Sequence, residues 1–183
     1  MNKILLSVFF IINETTILLS QDSKSVFFPL EVGNVWEYGG NTKDKMYVKN
    51  DSIASKTRVY IHIEEMIDDG IIVTRFLIKK KEGIYQCENI NDHKNCKLFV
   101  PFEPKLGDTL YMDDDDIYTV TDLKATLKTP NEIYNEVLEI RGKVNGYAYY
   151  FKRGIGIIGK VDTENKLIHY LKKYKLTNIN RPQ

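Results

Sequence analysis

Four consecutive aspartates, Asp113 to Asp116, are the most chemically loaded stretch of the chain. Calcium takes oxygen ligands, and clustered carboxylates supply them. Neighbouring side chains of an extended segment point to opposite faces, so only alternate members converge. Asp113 with Asp115 is therefore the candidate calcium pair. The glycine and closing glutamate of an EF-hand loop do not follow. A solvated acidic turn is the preferred expectation, and a cation site is the alternative. The second candidate is Cys87 with Cys96, the only two cysteines, with His93 between them. Two thiolates and one imidazole fall one ligand short of a structural zinc site, and no second CxxC or HxxxH completes the set. In an oxidising compartment such a pair closes a loop, so a Cys87–Cys96 disulfide is expected in preference to a metal.

The histidines add little on their own. His62 and His169 lie in expected strands, and His93 sits in the cysteine loop. There is no GxSxG elbow, HExxH helix, phosphate-cradling glycine loop or dinucleotide fingerprint. No catalytic residue is assigned and no cofactor is expected. A hydrolase built on a carboxylate pair stays open, because such a pair assembles only in three dimensions. The formal net charge of +1 creates no field that recruits nucleic acid or an acidic membrane. The lysine run Lys79 to Lys81 has no interleaved aromatics and reads as a solvated turn.

The elements that must position these residues are strands. In Arg58 to Glu65, Val59, Ile61 and Ile63 face one way while Tyr60, His62 and Glu64 face the other. Asp68-Asp69-Gly70 and Asn145-Gly146 are hairpin signals. Tyr147 to Val161 reads as a long aromatic strand that bends at Gly154 and continues across the core. Trp36, the only tryptophan, is a core anchor, and Phe27, Phe28 and Leu30 tuck against the domain edge. Glu132 to Ile140 fits a helical stripe in its first half and a strand in its second. Nine to twelve short strands with regular turn signals argue for one all-β antiparallel domain, a sandwich or a barrel, over residues 25–177, with a polar tail at 178–183. The chain is rich in tyrosine, with 12 copies, which suits half-buried sheet faces. Tyr60, Phe76, Tyr118, Tyr149 and Phe151 either line an open concave face or pack a closed core.

Residues 1–20 read as an export signal: Lys3, the apolar run Ile4 to Ile12, then small Ser20. The run is too short to span a bilayer, so the mature chain is expected to lack a stable membrane span. A retained anchor or a buried first strand are the alternatives. Export places the protein in the periplasm, at the cell surface or in the medium.

Phe28-Pro29-Leu30 followed by Gly33, Trp36 and Tyr38, together with Tyr150-Phe151 followed by Gly154-Ile155-Gly156, resembles a loose group of exported bacterial β-rich proteins. The resemblance covers both ends of the mature domain and implies an envelope or secreted β domain. It brings no catalytic residues, and the cysteines and aspartates have no counterpart in it. The expected function is therefore non-enzymatic: a structural surface of the envelope, or a binding module that takes a small apolar ligand, a peptide or an envelope protein on an aromatic-lined sheet.

Overall fold

Period-two alternation runs through most of the chain, and a computed structural model describing residues 26–91, 95–113 and 116–177 turns it into strands. They are β1 (Val35–Gly40), β2 (Asp44–Ala54), β3 (Thr57–Met66), β4 (Ile71–Lys79), β5 (Gly83–Cys87), β6 (Lys97–Pro101), β7 (Thr109–Asp113), β8 (Asp116–Lys128), β9 (Ile133–Gly142), β10 (Ala148–Lys152), β11 (Gly156–Val161) and β12 (Leu167–Lys175). No helix occurs among the described residues, so none is long and apolar enough to cross a membrane. The expected export signal at residues 1–20, His93, Asp115, the side chain of Asp113 and the tail 178–183 lie outside the described residues.

All twelve strands belong to one antiparallel sheet. Each pairs with its neighbour in sequence except at β6 and β7, which approach each other without a ladder. The first strand closes on the last, from Val35 opposite Lys175 to Gly40 opposite His169. The result is an up-and-down, nearly closed barrel rather than a sandwich. Alternating strand direction gathers the β1–β2, β3–β4, β5–β6, β7–β8, β9–β10 and β11–β12 turns at one rim, here the upper rim.

The lower end is plugged by the segment before β1. Phe27, Phe28 and Leu30 are buried there; they form the floor of the barrel, a deeper place than the domain edge expected for them. Phe28 stacks on Trp36 at 5.3 Å and meets Phe99 edge-on at 5.4 Å. Asn34 fastens both ends of the fold: its Nδ2 donates to the Pro29 carbonyl, and its Oδ1 accepts from the backbone N–H and hydroxyl of Thr177. The Trp36 indole donates to the Ile155 carbonyl, and the Tyr38 hydroxyl donates to the Ile157 carbonyl at 3.1 Å.

Two expectations change. Tyr147 to Val161 is a hairpin, β10 then β11, and not one bent strand. Gly154 at φ +74° and Gly156 at φ +113° reverse the chain, and Ile155 N–H closes the turn on the Lys152 carbonyl. Glu132 to Ile140 is extended from Ile133 onward, with its irregularity absorbed at Glu136, where φ is +52°.

Gly156 answers two demands at once. Its φ suits glycine alone, and a Cβ there would lie 3.2 Å from the Trp36 indole nitrogen. Gly156→Ala should cost on the order of 2–3 kcal/mol in urea unfolding. Gly70→Ala, also at positive φ but with nothing within 4 Å, should cost only about 1 kcal/mol. Equal losses would show that the floor does not discriminate.

Candidate functional site

The wall of the barrel inverts the usual arrangement on β3. Tyr60, His62, Glu64 and Met66 turn inward, and Val59 belongs to a separate apolar patch on the outer face. Antiparallel register then sets Leu77 opposite Tyr60 and Arg75 opposite His62. One rung away, Arg75 Nη1 donates to Glu64 Oε2 in a close, largely buried ion pair. A buried carboxylate is tolerable only with such a partner.

These side chains border a cavity of about 300 Å³. Its floor is Phe28 and Phe99, and its mouth is at the upper rim, where Asn41 is exposed. That size is at the small end of ligand pockets. Asp44, His169 and Lys160 complete the polar wall, and Met46, Met66 and Met112 supply much of the apolar one. The Lys160 ammonium lies over the rings of Tyr147 and Tyr149, at 4.4 and 4.8 Å from their centroids.

The polar groups are incompletely matched. His62 is 1% exposed, and neither ring nitrogen has a hydrogen-bond partner. It sits edge-on to Phe28 at 5.5 Å and tilted against Trp36. Burial first, and then the Arg75 charge, pushes its pKa down to about 3, so the ring is neutral at ordinary pH. Asp44 Oδ2 accepts from the Thr42 hydroxyl at 3.2 Å, while Oδ1 is buried without a partner. Burial raises the Asp44 pKa, Thr42 opposes that, and nearby Glu64 adds to it. His169 Nε2 lies 2.9 Å from Asp44 Oδ2 but off the line of an N–H bond. Burial, followed by Lys160, pushes His169 down to about 4, so this contact joins a neutral imidazole to a carboxylate and is not an ion pair at neutral pH.

The aromatic candidates scatter. Tyr149 lines the cavity and packs edge-on against Tyr118 at 5.5 Å. Tyr60, Tyr118 and Phe151 are packed in the main core. Phe76, expected to stand with them, lies on the outer face, because register places it opposite Ile61 and Cys87. It joins Val59, Ile78, Tyr85 and Ile90 around the disulfide. The five rings therefore do not form one aromatic wall. Cys87 and Cys96 are bonded, with an S–S distance of 2.03 Å, and close the β5–β6 loop at the upper rim.

Of the aspartate run, Asp116 has a defined task. Its Oδ1 accepts from the N–H groups of Ile117 and Val144, and its Oδ2 from that of Asn145. It therefore ties the β7–β8 turn to the β9–β10 turn. Burial pushes its pKa up, but these backbone donors outweigh that and hold it below the ordinary carboxylate range. The cation reading of Asp113 and Asp115 falls outside the described side chains. Among the described residues, no group of three or more His, Cys, Asp or Glu side chains is arranged to hold a metal ion.

Asp44, Glu64 and Arg75 were invisible as a site in sequence, and His62 and His169 read only as strand residues. One local signal existed: Arg75 is the lone charge inside the apolar run from Ile71 to Ile78. The arrangement as a whole is a barrel-like sheet enclosing a polar cavity with unmatched hydrogen-bonding groups. No protein-family model matches the chain, and no curated protein or solved structure matches it either.

Removing the Asp116 carboxylate leaves three backbone donors without their acceptor. Asp116→Ala should lose about 3 kcal/mol of unfolding free energy at neutral pH. A carboxylate with a depressed folded pKa contributes above its unfolded pKa and loses that contribution as pH falls. The gap between the variant and the parent should therefore narrow below about pH 4. A gap that is constant with pH would assign the loss to packing.

For His62 the pH dependence has the same sign, although at neutral pH this side chain costs stability where Asp116 contributes it. Its folded pKa is depressed, so the unfolded chain binds a proton that the folded chain refuses, and stability falls as pH drops below about 6.5. The charged and titratable neighbours are Arg75 and Glu64 beside it, with Asp44, His169 and Lys160 around the same cavity. His62→Phe should raise the stability of the ligand-free protein by about 1–2 kcal/mol at neutral pH. It should also spare on the order of 3 kcal/mol of the loss between about pH 6.5 and 4. Parallel pH profiles would show that His62 is not the acid-sensitive group.

Proposed function

We propose that this protein is an exported, non-enzymatic binding domain that holds a small molecule inside its barrel. The observation that carries the reading is the cavity itself, bordered by His62 and Asp44; the His62 ring nitrogens and Asp44 Oδ1 are buried without hydrogen-bond partners. Each such atom costs about 1–3 kcal/mol when left unmatched, against a total domain stability of about 5–15 kcal/mol. A purely structural barrel gains nothing from that cost and does better with a dry, close-packed interior. An occupant offsets it. The Cys87–Cys96 bridge supports an oxidising destination.

A hydrolase reading has one observation behind it. Asp44 and Glu64 share the cavity, and Asp44 is the carboxyl held towards its protonated form. Glu64, however, is engaged by Arg75 and is poorly placed to act as a free base or nucleophile.

The test is to incubate the mature protein with a metabolite extract of its native host, re-isolate it by gel filtration and extract it with organic solvent. The parent should carry an enriched compound of drug size or smaller, in the same chemical form as in the extract. Met46→Trp fills the cavity and should carry none. Equal carriage by both would remove the interior site, and recovery of a cleaved product would favour the hydrolase.

A further inference from the structure

We propose that the closed lower end of the barrel docks on an anionic lipid surface, with the mouth of the cavity facing away from it. The inference stands apart from the reading of the cavity, since it concerns the opposite end of the molecule.

The formal net charge of +1 hides a separation along the barrel axis. The five lower turns, residues 54–57, 79–83, 101–109, 128–133 and 152–156, hold eight lysines or arginines against four carboxylates. The described side chains of the upper turns, at 40–44, 66–71, 87–91, 95–97, 116, 142–148 and 161–167, include four against seven. The two ends therefore differ in sign, and a nearby charged surface orients the molecule. The whole-molecule figure averages the two ends away.

Cations follow one another around the lower rim. Lys81, Lys105 and Lys128 are exposed on three successive turns. On the next turn Arg153, also exposed, lies over the Phe27 ring at 4.2 Å from its centroid. Two of the carboxylates at this end are already engaged. Glu31 pairs with Lys79 at 2.7 Å, and Asp108 accepts from the Lys105 backbone N–H at 2.8 Å.

Two further observations favour a lipid surface over a soluble polyanion. Exposed aliphatic side chains stand among the cations: Leu106 follows Lys105 and is 65% exposed, and Ile133 closes the turn that Lys128 opens and is 56% exposed. Such a mixture suits the boundary between headgroups and acyl chains, where apolar side chains insert and cations meet phosphate. The amino-terminal chain also enters at this end. The Val26 carbonyl accepts from the Gly154 N–H at 2.7 Å, next to Arg153. The apolar run Ile4 to Ile12 precedes Val26 in the chain, so an anchor retained there would be tied to the cationic end.

The test is sedimentation of the protein, with the amino terminus its host leaves on it, with vesicles of phosphatidylcholine alone or mixed with phosphatidylglycerol. Affinity for the mixed vesicles should be about a hundredfold higher at low salt and should fall as salt rises. Lys81→Glu, Lys105→Glu and Lys128→Glu together should remove that preference. Lys43→Glu, Lys143→Glu and Lys166→Glu together, at the upper rim, should leave it within about threefold. Equal loss from the two sets would show that overall charge, and not this end, is responsible. Equal affinity for the two kinds of vesicle would leave only the apolar amino-terminal run in contact and would overturn the proposal too. Leu106→Trp gives a reading that needs no charge reversal. Its emission should shift to the blue on mixed vesicles and stay unchanged with heparin, a soluble polyanion. An unshifted emission on vesicles that the protein binds, or equal affinity for heparin, would overturn the lipid surface as the partner.

Discussion

The antiparallel pairing of β1 with β12 is the constraint on which the rest depends. Without it the chain is two six-stranded meanders, each with open edges of the kind that invite aggregation. With it, the barrel has a single break, and a residue just past β1 comes to lie beside one early in β12. That is how Asp44 meets His169. The approach is so close at Gly40 that a Cβ there would sit 2.2 Å from the Ile168 carbonyl oxygen, and its φ is +135°. One polar corner of the cavity is thus a by-product of closure.

The interior combines two kinds of chemistry that usually exclude one another. The lower half is a ring-packed core, with Phe28 in contact with both Trp36 and Phe99. The upper half carries charged groups, of which Glu64 and Arg75 satisfy each other. His62 stands at the boundary, with its ring faces served by aromatic neighbours and its nitrogens by nothing. Such a residue weakens the barrel, because its buried nitrogens forgo the hydrogen bonds they make to water in the unfolded chain.

Much of the local structure was legible from the chain. Alternation at Arg58 to Glu65 and the turns at Asp68-Asp69-Gly70 and Asn145-Gly146 mark elements correctly, because strand and turn preferences act over a few residues. The Cys87–Cys96 bridge is likewise written in spacing. What was not legible is long-range. Val35 and Lys175 pair across most of the chain, and nothing near either residue announces the other. Alternation alone turns Val59, Ile61 and Ile63 inward, as in a sheet with one wet face. Here the disulfide loop covers part of the outer face near Val59, which frees His62 and Glu64 to line the inside. Tyr60, Tyr118 and Phe151 were recognisable as burying residues, but whether a ring meets a ligand or another ring is decided by neighbours on distant strands.

The missing ladder between β6 and β7 has an evolutionary and engineering corollary. The sheet's one discontinuity falls mid-chain, whereas Thr177 is held against Asn34 and Val32. Seen as a ring, the architecture is indifferent to where synthesis starts. A circular permutant joined near Thr177 and opened between β6 and β7 would convert the most distant contact in the chain into a hairpin-like one. Its lower contact order would speed folding while leaving the enclosed chamber untouched.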